Sequence, residues 1–99
     1  MYNKENLAKL KKMEALAPQV MKAFWAFDKA AFAEGALSGQ VKQLIAIGVA
    51  LTTQCPYCIE IHTKAARDAG ATDAMLAEAA LVAAAIRAGG AVTHGAHCF

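Results

Sequence analysis

Charge is scarce in this chain. Asp, Glu, Lys and Arg together make up 18% of it, and the formal net charge is only +2. So slight a balance gives no argument for nucleic acid or an anionic membrane as partner. The lysines near the start (Lys4, Lys9, Lys11, Lys12) have Glu5 and Glu14 among them and read as a solvated helix face. Long apolar runs are also missing. The longest clean one, "LIAIGVAL" at 44–51, falls far short of the roughly 20 residues that span a bilayer. The opening "MYNKENLAKLKK" has no apolar core of the kind a secretory signal carries. A cytoplasmic chain is expected, with no membrane and no nucleic-acid partner. Cysteine occurs three times, which in a reducing compartment argues against a disulfide framework and for reactive thiols or a metal. Apolar and polar residues nowhere alternate with period two, so no strands are expected.

What the chain has in quantity is alanine and apolar surface. Its 99 residues are 58% hydrophobic and should form one domain, 1–99, of the all-α class. So small a domain with so little charge has apolar surface to spare, which points to a homo-oligomer. Asn3 is placed to cap a first helix carrying Leu7, Leu10, Met13 and Leu16 on one stripe. "AP" at 17–18 ends it, and Pro18 suits the first position of a second helix. That helix presents Val20, Phe24, Trp25 and Phe27, expected as core, and should end by Gly35. Ser38 then caps "GQVKQLIAIGVALTTQ", whose middle is apolar on all sides and should be buried on all sides, in a bundle centre or a subunit interface.

"CP" at 55–56 breaks the helical ladder and restarts it, with Cys55 as cap and Pro56 in the first position. The fourth helix should run to about Ala69, with Gly70 just beyond it. Thr72 or Asp73 caps a fifth helix, expected to reach Gly89–Gly90. "AVTHGAHCF" closes the chain as a last turn or two, or as a continuation after a kink. Five to six helices are expected in all, with no repeat, linker or low-complexity tail.

The chemistry lies in "QCPYCIEIH", 54–62. At 3.6 residues per turn, Cys55, Cys58 and His62 fall within roughly 60° of one stripe, with Glu60 on about the opposite side. The sulfurs at i and i+3 can bridge. The helix start favours a thiolate, and His62 stands one turn below Cys58, where it can take a thiol proton. Three readings compete: a dithiol redox centre, buried packing thiols, or half of a zinc site. The zinc site would have to draw its remaining ligands from His94, His97 or Cys98. The proline inside the pair and the histidine in register weigh against packing. The start of a long helix is not where a zinc knuckle holds its CxxC.

With these residues in view, 38–97 resembles the AhpD-like alkylhydroperoxidase core of the carboxymuconolactone decarboxylase superfamily, and 18–37 resembles its lead-in helix. The resemblance rests on CxxCxxxH on a helix that follows an apolar helix, then "AGAT". It implies an AhpD-like helical bundle with the motif on a helical hairpin. It also implies a cofactor-free, metal-free thiol peroxidase of peroxiredoxin type that reduces hydroperoxides and is regenerated by a dithiol donor. Carried over, Cys58 is peroxidatic, Cys55 resolving and His62 part of a proton relay. The family places a glutamate twelve residues before the first cysteine, where this chain has Gln43. A hairpin folded at Cys55 would return that position to His62, and a glutamine there can orient an imidazole but cannot take its proton. Tyr57 replaces the histidine of AhpD proper, and Tyr57 and His94 are possible accessories, His94 by folding back towards the thiols. Relatives assemble as trimers or hexamers. Two other functions stay open: a non-catalytic redox-sensing or zinc-stapled module, and decarboxylation of a small lactone.

Overall fold

A computed structural model describes residues 2–99. Among them are five α-helices, two short 3₁₀ helices and no strand. The helices are α1 (Leu10–Leu16), α2 (Pro18–Phe32), α3 (Gly39–Thr53), α4 (Pro56–Asp68) and α5 (Asp73–Gly95), with 3₁₀ turns at Lys4–Lys9 and Ala96–Cys98. They fall into two compact units, 1–39 and 40–99.

In the first unit the Asn3 side chain accepts from Glu5 N–H at 2.9 Å. The turn it caps is 3₁₀ and relaxes into the wider α1 only at Leu10. Pro18 occupies the first turn of α2 as expected. Trp25 Nε1 donates to Glu14 Oε1 at 2.9 Å, which ties α2 to α1. The aromatics do not form the expected core: Phe27 is 70% exposed, and no residue of these helices is buried. Two short helices have too little surface to enclose one. α2 also stops at Phe32, where Ala33 turns extended, before Gly35 is reached.

The second unit is a three-helix arrangement around a small core. Ile47, Ala66 and Ala71 are buried, and Leu44, Leu51 and Leu76 pack against them. α3 and α4 form an antiparallel hairpin, because Gln40 near the start of α3 donates through Nε2 to Ala69 O at the end of α4, 2.9 Å away. α4 ends in a Schellman turn. Gly70 adopts φ +93° and donates to Arg67 O, Ala71 N–H donates to Ala66 O, and both Ala66 and Ala71 are buried.

Two expectations fail here. α3 buries only Ile47 and Ala50, while Ile45 and Val49 are half exposed or more, because α4 and α5 cover one side of it. α5 does not end at Gly89–Gly90 but runs through to Gly95. Each glycine costs about 1 kcal/mol in a helix, and the alanines on either side offset it. With its last turn, α5 gives a 26-residue helical stretch, Asp73–Cys98, long and apolar enough by composition to cross a bilayer. Counting uninterrupted apolar residues overlooked it, because glycine, threonine and histidine are spaced through it.

Candidate functional site

The hairpin turn between α3 and α4 positions the thiols. α3 closes with its own Schellman bond, Cys55 N–H to Ala50 O at 3.0 Å. That geometry puts Gln54 at φ +57°, the left-handed region usually given to glycine, and no other non-glycine among the described residues has positive φ. Side-chain donors also reach the carbonyls of the last turns of α3. Thr52 Oγ1 donates to Val49 O at 2.8 Å and Thr53 Oγ1 to the same oxygen at 3.0 Å. Arg87 of α5 donates to Thr52 O at 3.2 Å. The turn is therefore pinned from three directions immediately before the first cysteine.

Cys55 is extended (φ −96°, ψ 99°) and caps α4, with Pro56 in the first turn. Its Sγ accepts from Cys58 N–H at 3.3 Å. Both cysteines are half-buried free thiols. Hydrogen bonds from the Cys58 thiol, then from the Cys58 and Tyr57 backbone, hold Cys55 below the ordinary thiol value against a small opposing burial effect. Cys58 is pushed up to about 11, first because its thiol donates to Cys55, then by burial and by the Cys55 charge. Of the two sulfurs, Cys55 is therefore the readier to ionise, and Cys58 holds its proton the more tightly.

His62, one turn further along α4, has Nδ1 2.8 Å from Gln43 Oε1, and both residues are half buried. An amide oxygen only accepts, so Nδ1 carries the hydrogen and donates it to Gln43, which leaves Nε2 as the ring nitrogen not engaged by that amide. The hairpin therefore returns position 43 to His62 as the sequence spacing requires. Tyr57 lies between the cysteines in the first turn of α4, half buried. His94 remains on α5, about two helical turns beyond Arg87 by a rise of 1.5 Å per residue. Its ring neighbour is His97, centroids 5.4 Å apart. The tail continues α5 and does not fold back. Among the described residues no three of His, Cys, Asp and Glu converge as a metal-binding group.

Sequence reasoning overlooked Gln54 and Arg87. No local signal marks Gln54, since nothing in "TTQCP" calls for a left-handed residue. Arg87 had one: it is the lone charge in "LVAAAIRAGGAV".

A family model for carboxymuconolactone decarboxylases matches residues 18–99. A protein of Paracoccus denitrificans described as uncharacterized protein 4 in cox locus is 56% identical over 72 residues, 73% of this chain and 65% of that one. An uncharacterized protein of Cupriavidus necator is 41% identical over 61 residues, 62% of this chain and 54% of its own length. The chain thus spans less than two thirds of either relative. Among solved structures, a protein from Methanobacterium thermoautotrophicum superposes with a TM-score of 0.82 at 37% identity, covering 88% of this chain and 98% of that one. An apo structure from Legionella pneumophila, described as a carboxymuconolactone decarboxylase family protein, gives 0.79 at 32% identity, covering 84% and 74%.

Proposed function

Because this chain belongs to the carboxymuconolactone decarboxylase family, we propose that it is a cofactor-free dithiol peroxidase of the AhpD-like kind, reducing hydroperoxides in the cytoplasm. The observation that carries the reading is the pairing of a half-buried dithiol at a helix start with an imidazole oriented by Gln43. Cys58, protonated in the resting pair, gives its proton to His62 Nε2. Its thiolate attacks the terminal oxygen of the hydroperoxide, the O–O bond breaks, and the alkoxide leaves as alcohol with the proton from His62. Cys58 becomes a sulfenic acid. Cys55, the more acidic of the two thiols, loses its proton and attacks that sulfur. The S–S bond forms, and hydroxide departs and is protonated to water. A dithiol donor then returns two electrons and two protons to the disulfide.

In this scheme His62 has a defined task, because the resting proton lies on the attacking sulfur. The test is a mass-resolved thiol count before and after one equivalent of peroxide. Loss of the Cys55 and Cys58 thiols together, abolished by Cys58→Ser, is expected; unchanged peroxide consumption by Cys58→Ser sinks the reading.

One observation favours a second reading. Gln43 ends the relay in an amide, which cannot pass a proton on. A redox sensor would form the same disulfide but turn over with no dithiol donor. Lactone decarboxylation, suggested by the family's description, would survive loss of both cysteines. The assembly we propose is a homo-oligomer, a trimer or hexamer, built on the outer face of α5. Leu81 and Val92 are 68% and 79% exposed there. At about 100° per residue they share a side of the helix, turned roughly 80–140° round from Val82 and Ile86.

A further inference from the structure

An apolar groove of about 410 Å³ lies between α3 and α5. Val41, Leu44 and Val49 line one wall and Val82 and Ile86 the other, with Thr52 at one end. The Thr52 hydroxyl is turned to Val49 O, so it offers the groove no donor. At that same end stands Arg87, the residue after Ile86, whose single hydrogen bond runs to Thr52 O at 3.2 Å. One helical turn away on either side it has Ala83, Ala84, Gly90 and Ala91, so no acidic side chain neighbours it on its own helix. A guanidinium has five N–H donors in a planar fork, and one bond leaves most of them for another acceptor.

We infer that this groove binds an amphipathic carboxylate, with its alkyl tail between α3 and α5 and its head group on the Arg87 guanidinium. The walls offer an alkyl chain apolar contact and nothing polar. The volume falls within the range of about 300–1,000 Å³ typical of small-molecule sites. Planar, bidentate pairing is the geometry in which arginine recognises carboxylate best. Charge complementarity thus chooses the head group and the lining chooses the tail. The head end of the groove is the Thr52 turn, three residues before Cys55, so bound ligand lies beside the segment that holds the thiols. On the peroxidase reading such an acid is a ligand held next to the thiol segment, since none of Cys55, Cys58 and His62 lines the groove itself. Binding of the acid itself does not depend on that reading.

The experiment is calorimetric titration of the reduced full chain with decanoate and with 1-decanol, below their aggregation limits. Decanoate should bind at least tenfold more tightly than decanol. Arg87→Gln should erase that difference and leave decanol binding unchanged, while Arg87→Lys, which keeps the charge, should retain part of it. Val49→Glu, placed in the wall, should weaken both ligands. Cys58→Ser, without peroxidase turnover, should bind decanoate as wild type does, so failure of the peroxidase reading would not mimic failure here. Equal affinity for the two ligands in wild type overturns the proposal, and so does a decanoate preference that survives Arg87→Gln. It is also overturned if decanoate fails to bind and Val49→Glu instead converts an oligomer to monomers, since the groove would then hold a second copy.

Discussion

His62 Nδ1 meets Gln43 Oε1 at 2.8 Å, across the hairpin that joins α3 to α4. A carboxylate at position 43 would add a negative charge that stabilises an imidazolium, whereas the amide oxygen only accepts the Nδ1 hydrogen and orients the ring. In the proposed cycle the imidazole therefore takes the Cys58 proton and returns it to the leaving alkoxide, with no onward path through Gln43.

Gln43→Glu should raise the peroxidase rate and move the pH dependence of kcat. The new carboxylate would raise the His62 pKa, so the limb set by its deprotonation would appear at higher pH. Gln43→Leu removes an orienting hydrogen bond worth about 1 kcal/mol and should lower kcat roughly fivefold. Steady-state rates across pH decide it. No response to either substitution, with His62→Ala equally silent, removes the relay.

The two cysteines should alkylate at different pH. Iodoacetamide captures the thiolate, and Cys55 is held below the ordinary thiol value while Cys58 stands at about 11. Peptide-resolved alkylation at neutral pH should label Cys55 well ahead of Cys58. In Cys55→Ser, Cys58 loses the thiolate that raises it and should become reactive at lower pH. Faster labelling of Cys58 in the wild-type chain would reverse the assignment.

Gln54→Gly should stabilise the fold. The left-handed φ of +57° costs a non-glycine residue about 1–2 kcal/mol, and glycine gives part of that back in unfolded-state entropy. A net gain near 1 kcal/mol corresponds to a rise of about 4–8 °C in Tm, measured at fixed protein concentration. A lower Tm would mean that Gln54 makes compensating contacts.

Ile47→Ala should destabilise strongly. Ile47 is 4% exposed and is the large side chain in a core otherwise made of alanines. Truncation costs about 2–5 kcal/mol, a large share of what a domain this size has. Chemical denaturation should show the loss as a lower midpoint. A loss below about 1 kcal/mol would indicate a core that collapses around the gap.

Leu81→Glu should break self-association while leaving the peroxide-driven loss of the Cys55 and Cys58 thiols in the monomer. A charge on the outer face of α5 meets a partner helix unpaired, whereas in the monomer it meets water. Sedimentation with a parallel thiol count separates the two effects. Unchanged mass would move the assembly surface elsewhere.

Much of this molecule could be read from its residues. Alanine content and the missing period-two alternation made it helical. Pro18 and Pro56 set helix starts, Gly70 set a helix end, and the CxxCxxxH spacing put the thiols and His62 on one face. The twelve-residue interval from Gln43 to Cys55 brought glutamine and imidazole together, because a two-residue turn must fold α4 back along α3. These are local or periodic properties, and short-range sterics and hydrogen bonding determine them. Other features needed the third dimension. α5 passes through Gly89–Gly90 because the cost of two glycines is spread over a long alanine-rich helix. Gln54 accepts a left-handed backbone because the closing bond from Cys55 to Ala50 demands it of whatever residue stands there. Arg87 reaches Thr52 from 35 positions away. Cys58 holds its proton more tightly than Cys55 because the Cys55 sulfur receives hydrogen bonds at a helix start. The residue types were fixed in advance, but charge and proton position depend on distances between elements, and those exist only once the helices are packed.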